Sequence, residues 1–338
     1  MLHSNVHLEA LAYELPPHVV RTTSLYERLA PTLKRLGIPG AWLASLSGVE
    51  ERRFWEPGTF VPDMASRAAR KALERSGVAP EQIGCILSTS VYKEFLEPSV
   101  ACMVHHDLGL PPEAMNMDIG NACLAFLSGM SLVSRMIDQG QIQAGLVVDA
   151  ECSRAIAEAT LQRLTAPDID LPAFSKEFAA LTLGSGAVAA VLTHSSISRS
   201  THRIVGHVTL ANTSYCKHCI GKVSEMITDQ TSLMKGGVEL AHRTWALAAR
   251  TFGWTRDNIK QFICHQVGAR HHKLLFETLG LDPTRAFQTF PFLGNVGPAS
   301  VPLTLAMADE RGHVVPGDRI GLMGIGSGLN CAMMEIVW

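Results

Sequence analysis

The chain has 338 residues, 47% of them hydrophobic and only 18% charged, with a formal net charge of -2. That balance fits a large compact core or two fused halves, and it excludes a disordered chain or a nucleic-acid-coating protein, since no long Lys/Arg run supplies a polyanion footprint. Met1-Leu2-His3-Ser4-Asn5 lacks a basic segment followed by an apolar run, and no uninterrupted apolar stretch approaches the ~18 residues of a membrane span, so a cytoplasmic protein without a span is expected.

In chain order, Arg67 to Ser76 carries a helical pattern closed by Gly77, and Glu81-Gln82-Ile83 then leads into a strand, Cys85-Ile86-Leu87-Ser88-Thr89. The next segment, Lys93-Glu94-Phe95-Leu96-Glu97-Pro98-Ser99, reads as a loop in which Glu97, by residue type alone, is a solvated carboxylate. Gly120-Asn121-Ala122-Cys123-Leu124-Ala125-Phe126-Leu127 reads as a strand turning sharply into a helix with a thiol at the helix start. Gly120 permits the turn, Asn121 caps the helix, and the free amides of the first turn place positive potential on sulfur and favour thiolate. Cys123 is thus a candidate nucleophile; a small buried apolar cysteine is the alternative.

Gly184-Ser185-Gly186 opens a strand-like run, Ala187 to Val191. Eight cysteines (Cys85, Cys102, Cys123, Cys152, Cys216, Cys219, Cys264 and Cys331) are scattered in a way that suits a reducing compartment. Cys216-Lys217-His218-Cys219 has the shape of a zinc or redox motif, but its only obvious second ligand pair is the adjacent His271 and His272 on one helix, so no metal is expected. Glu239 to Phe252 is helical, Gly253 follows, and Asp257-Asn258-Ile259 leads into Phe262-Ile263-Cys264-His265. His265 falls at the C-terminal edge of that strand, where ligand sites of α/β sheets gather; taken singly it could equally be a structural histidine. Gly294-Asn295-Val296-Gly297-Pro298-Ala299-Ser300 is a glycine-bracketed loop opening a helix, and Asn295 in isolation reads as a cap or turn residue.

The order of these elements repeats. Gly77 matches Gly253 and Ile83 matches Ile259 at the same spacing of 176 residues, and carrying that spacing forward sets Cys123 against the helix start at Ala299 and Ser300. The two Gly-Ser-Gly runs, Gly184 and Gly326 onward, are only 142 apart, so about 35 extra residues sit in the first half, at about 151–180. With Phe174, Phe178 and several leucines, this insertion reads either as a cap or tunnel wall for an apolar substrate or as a helical excursion on its own core. Two halves follow, 1–195 with Cys123 and the insertion and 196–338 with His265 and Asn295. Each is an α/β half with parallel-type layers, and together they form two similar sheets sharing central helices.

A thiol, a histidine and an asparagine at equivalent helix starts and strand ends make a coherent set for acyl transfer. With Ser47-Gly48-Val49-Glu50-Glu51-Arg52-Arg53, Asn121-Ala122-Cys123, His265-Gln266, Gly294 to Ser300 and Gly324-Ile325-Gly326-Ser327-Gly328-Leu329, the chain resembles the thiolase superfamily, and within it the β-ketoacyl synthase III branch, over essentially its whole length. The resemblance implies the thiolase fold, an internally duplicated α-β-α-β-α sandwich. It implies that Cys123 carries the acyl group as a thioester, that the amides of Cys123 and Ser327 form the oxyanion hole, and that His265 and Asn295 donate to the second substrate's thioester oxygen as it becomes an enolate.

Glu97 stands where ordinary members of that branch place an aromatic residue before Pro-Ser. Decarboxylative enzymes need no base, whereas joining two simple acyl thioesters requires removal of an α-proton. With the terminal run Leu322 to Cys331, this carboxylate makes the chain similar to the OleA family, the acyl-CoA condensing enzymes of head-to-head olefin biosynthesis. That resemblance implies long-chain acyl-CoA substrates with no further cofactor, a homodimer that lends Glu97 across its interface, and other enzymes of an olefin pathway as partners. A Glu97 lying beside two alkyl chains is expected to be partly desolvated. Trp42 falls where some relatives stack the adenine of coenzyme A, although Leu46 replaces their usual arginine; Arg52 and Arg53 are candidates for coenzyme A phosphate or for structure. The alternatives are a decarboxylative synthase III using a malonyl thioester, a noncatalytic acyl-CoA binding protein on the same fold, and a zinc- or redox-responsive protein built on Cys216 and Cys219.

Overall fold

The computed structural model describes residues 1–39, 45 and 47–338. Its first half contributes β1 (Val6–Glu14), β2 (His18–Arg21), β3 (Glu51–Phe54), β4 (Ile83–Ser88), β5 (Met115–Asp118), β6 (Ala144–Glu151) and β7 (Gly186–His194). The second contributes β8 (Arg203–Ala211), β9 (Cys219–Gly221), β10 (Met226–Thr228), β11 (Gln261–Cys264), β12 (Arg319–Gly326) and β13 (Asn330–Val337). Nine of these run in the order β11-β12-β13-β8-β1-β7-β6-β4-β5. The junction of β1 with β8 is a single residue pair, His7 with Arg203, so two half-sheets of five and four strands meet along one edge.

The expectation of parallel layers holds only in part. β4 is parallel to β5 and β6, and β11 to β12, but β7 and β13 return antiparallel in each half. Only the βα crossovers need a parallel neighbour; the short Gly-Ser-Gly link from β12 to β13 is long enough for a hairpin and no more. Its counterpart between β6 and β7 holds the insertion, with helices Arg154–Leu164 and Leu171–Glu177.

The central layer is a pair of helices, Ala125–Asp138 after Cys123 and Ser300–Glu310 after the Asn295 loop. Phe126, Met130 and Ile137 from the first and Val301, Leu303 and Leu305 from the second share one core with Leu192 and Leu322 of the two half-sheets. Ser300–Glu310 is buried on all sides from Ser300 to Ala308, as an apolar helix between two sheets must be. Helix Val61–Ser76 covers the first half-sheet from outside through Met64, Ala68 and Ala72, and Gln230–Phe252 with Ala269–Leu279 covers the second through Leu240 and Phe276. The layers therefore run α-β-α-β-α. In the insertion, Phe174 and Phe178 stack at 6.5 Å and pack with Leu161 and Leu164 on Leu25, Leu29 and Leu33 of helix Thr22–Arg35. The insertion thus packs into a satellite core shared with that helix.

Candidate active site

Cys123 lies in the short 3-10 turn Ala122–Leu124 that feeds helix Ala125–Asp138. The turn is built differently from the sequence expectation. Among the described residues Ala122 is the one non-glycine with positive φ, 45°, so the left-handed step falls immediately before Cys123, and Gly120 does not supply it. Asn121 caps nothing; its amide donates to Ser128 Oγ at 2.9 Å and its Oδ1 accepts from Asn330 at 2.9 Å, tying the turn to the first residue of β13. The expected lowering of the thiol pKa is also reversed. Burial pushes Cys123 up to about 12, with Glu151, Cys219 and Asp149 adding to the rise, because the loss of solvent around the sulfur outweighs the first-turn amides.

Strand ends bring the other groups to this turn. β12 runs into it so closely that a Cβ on Gly326 would stand 2.9 Å from the Asn121 carbonyl oxygen and 3.1 Å from the Leu124 nitrogen. Ser327 follows directly and is half-buried, one residue past this approach. Gly184 makes the complementary approach in the other half: its Cβ position overlaps the Leu293 carbonyl oxygen, and its N–H donates to the Asn295 carbonyl at 2.9 Å. The first glycine of each Gly-Ser-Gly run thus presses on the functional loop of the opposite half.

Asn295 is fixed by its backbone, with its N–H donating to Thr182 O at 2.9 Å, and by its Oδ1, which accepts the Gly297 N–H at 3.0 Å. That turn bond occupies the acceptor side of the amide and leaves Nδ2 as an oriented donor. The Gly297–Ala299 turn packs on the Cys123 turn and on the end of β6. His265 follows β11 directly and is 5% exposed; its N–H donates to Met323 O at 2.8 Å. Burial, with a smaller contribution from His271, lowers its pKa to about 3, so the imidazole is neutral at physiological pH, and Nδ1 has no hydrogen-bond partner among the described residues. Gln266 locks the strand end, accepting from the Thr289 and Phe290 amides at 3.1 and 3.2 Å and donating to Cys264 O at 2.9 Å. A cavity of about 20 Å³, lined by His265, His271, Ala241, Leu275 and Ile325, opens beside the ring.

The remaining candidates lie elsewhere. Glu97 is exposed on a loop tip with Phe95 and Leu96, and makes no hydrogen bond or ion pair among the described residues, so the desolvation expected for it is not present in the single chain. Arg52 is 2% exposed and points inward, donating to Val20 O at 3.2 Å and Thr22 Oγ1 at 2.9 Å; burial lowers its pKa to about 10. Its role here is structural. Arg53 reaches back to Pro16 O at 3.2 Å. Trp42, and Leu46 with it, lies outside the described residues. Cys216 is exposed, Cys219 faces Thr228 Oγ1 at 3.8 Å, and no group of three or more metal-ligating side chains occurs among the described residues.

Two residues beside Cys123 escaped the sequence reading. Asp149 and Glu151, at the end of β6, are buried; burial pushes the Asp149 carboxyl up to about 7, and burial with Asp149 beside it pushes Glu151 well above the usual carboxylate range. The signal was available as two acids spaced i, i+2 in Val147-Val148-Asp149-Ala150-Glu151, an otherwise apolar strand.

The model for 3-oxoacyl-[acyl-carrier-protein (ACP)] synthase III, C terminal, matches residues 249–338, and that for thiolase, N-terminal domain, matches 56–165. The acyl-CoA:acyl-CoA alkyltransferase of Xanthomonas campestris is 41% identical over 338 residues, covering all of both chains. That of Shewanella oneidensis is 38% identical over 350 residues, again covering all of both. A crystal structure of a Cys-to-Ser variant of Xanthomonas campestris OleA with bound lauric acid and lauroyl-CoA superposes with a TM-score of 0.98 at 41% identity, covering all of both chains. The chain belongs to the acyl-CoA:acyl-CoA alkyltransferase (OleA) family of the thiolase superfamily.

Proposed function

We propose that this chain joins two long-chain fatty acyl-CoA molecules head to head by a non-decarboxylative Claisen condensation, supplying a 2-alkyl-3-oxo acid for long-chain olefin or ketone biosynthesis. The observation that carries the reading is that β12, one residue before Ser327, and the Gly297–Ala299 turn beside Asn295 both pack on the Cys123 turn, in a chain that also offers a carboxylate, Glu97, where a decarboxylative relative needs none. The acyl-CoA alkyltransferases it aligns with from end to end support the same substrates.

In the first half-reaction the Cys123 sulfur attacks the thioester carbonyl of one acyl-CoA. The C–S bond to coenzyme A breaks, the thiol proton ends on the departing coenzyme A, and the amides of Cys123 and Ser327 hold the oxyanion on the way. In the second, Glu97 removes an α-proton from the other acyl-CoA. The enolate oxygen is held by the Asn295 Nδ2 and the neutral His265 ring, and the α-carbon attacks the Cys123 thioester, forming C–C and releasing sulfur, which regains the proton from Glu97. Water then hydrolyses the remaining thioester of the 2-alkyl-3-oxoacyl-CoA, releasing the second coenzyme A and the β-keto acid. Each such preorganised donor is worth roughly 10²- to 10³-fold in rate.

Glu97 serves this step across a homodimer. Edge strand β5 carries exposed Met115 and Met117 with no strand on its outer side, and Leu96, 104% exposed, stands with Phe95 on the Glu97 loop; a second copy of the chain covers these apolar groups and desolvates Glu97. The test is incubation with myristoyl-CoA alone, following coenzyme A release and product mass. The 27-carbon ketone left after the β-keto acid loses carbon dioxide is expected. If coenzyme A appears without it, and a β-ketoacyl chain forms only on adding a malonyl thioester, the enzyme is a decarboxylative synthase.

A further inference from the structure

The acids at the end of β6 have no part in the chemistry above, yet they hold the two loops that do. Asp149 Oδ2 accepts from Thr89 Oγ1 at 2.6 Å, the Ala150 N–H donates to Ser90 Oγ at 3.0 Å, and the two oxygens of Glu151 accept the Val91 and Tyr92 amides at 2.6 and 3.3 Å. Four consecutive residues, 89–92, are thereby fixed on the strand end. Lys93 then pairs with Asp118 at 2.6 Å, and Glu94 accepts the Val61 N–H at 3.0 Å. Asp118 also accepts the Val100 and Ala101 amides at 3.1 and 2.9 Å, so the loop is clamped on both sides and the Phe95-Leu96-Glu97 tip projects from a rigid base. On its other side, Glu151 lies against the Asn295 loop: a Cβ on Gly297 would stand 3.5 Å from the Glu151 carboxyl carbon, and the Gly297 amide is the one bonded to Asn295 Oδ1.

We infer that Glu151 is a positioning residue for condensation: one buried carboxylate sets the base of the Glu97 loop and the seat of the Asn295 loop, the two elements that handle the α-carbon of the second substrate. This rests on the reading that Glu97 takes the α-proton and Asn295 holds the enolate. In a dimer each Glu151 serves the Asn295 of its own chain and the proton abstraction of the other. A purely structural carboxylate would weaken every step alike, whereas this one acts chiefly after acylation, since its carboxyl oxygens bond the Val91 and Tyr92 amides and not the Cys123 turn, whose thiol pKa is raised first by burial.

Acylation of Cys123 by myristoyl-CoA, read by intact mass, and condensation, read by product mass, separate the two cases in wild type, Glu151→Gln and Glu151→Asp. Acylation within about 3-fold of wild type with condensation at least ~10-fold slower is expected in both variants, the aspartate being one methylene too short to reach both amides, since misplacing a reacting group by about 1 Å can cost ~10²-fold. Condensation at the wild-type rate, or a parallel loss in both steps, overturns the inference. Should neither variant fold, hydrogen exchange on the wild type decides: protection of 89–94 against rapid exchange at 95–97 upholds the clamp, and equally rapid exchange overturns it. Failure of the functional reading is distinct, because then the wild type itself forms no condensation product.

Discussion

Replacing Glu97 by Gln removes a base without changing shape, so the variant is expected to accumulate the Cys123 thioester and to condense at least ~10²-fold more slowly, read by intact mass and product mass; normal condensation would remove Glu97 from the mechanism. Cys123 titrates high because burial desolvates the sulfur and two buried acids stand nearby, so its alkylation by iodoacetamide should keep accelerating well above the ordinary thiol range when followed against pH. His265 gives a signed stability effect. Its folded pKa of about 3 lies below the ordinary ~6.5, so its contribution is present above pH ~6.5 and is lost as pH falls toward 3. His265→Asn, which cannot titrate, should lose less stability than wild type between those limits in denaturant titrations. Cys123, His265 and Asn295 could be singled out as candidates because each sits in a motif with its own local grammar. The thiol pKa was not legible, because it is set first by burial and then by Glu151 and Asp149, 28 and 26 residues away in sequence, and both come only with the fold.

The turn at Cys123 is held by a strand. Gly326→Ala would thrust a methyl to 2.9 Å from the Asn121 oxygen and 3.1 Å from the Leu124 nitrogen, both backbone atoms that cannot rotate away. A cost of about 1–3 kcal/mol in unfolding free energy is expected, with Cys123 acylation slowed ~10-fold or more as the oxyanion amides separate; a variant that acylates normally would show that the Ser327 amide is not held by this contact. Element order was open to a sequence reading because duplication repeats every signal: β4 and β11 sit in register at the 176-residue spacing, Cys85 to Ser88 against Gln261 to Cys264. The left-handed residue was not, since propensity points to Gly120 and the tertiary approach of β12 enforces the step at Ala122. The mixed strand directions also escaped, because an apolar run carries no mark of whether its neighbour is parallel.

At the scale of the whole molecule, the single chain leaves its proposed base on an exposed tip and its sheet open at β5. A two-fold contact through that edge is self-complementary, so whatever one copy lends it also receives. Mixing two inactive variants tests this. Cys123→Ala keeps Glu97, and Glu97→Gln keeps Cys123; in a dimer with one chain of each, the intact Cys123 faces the intact Glu97 only if the carboxylate crosses the interface. One of the two sites in every mixed dimer is then complete, and an equal mixture in which half the dimers are mixed should recover about a quarter of wild-type condensation after denaturation and renaturation together. Were Glu97 to act within its own chain, each site would lack either its nucleophile or its base, and the mixture would be no more active than its parts. Light scattering on Leu96→Asp completes the case: a polar tip should weaken the dimer and condensation together while leaving Cys123, carried on a separate turn at the start of a central helix, able to fold into its turn.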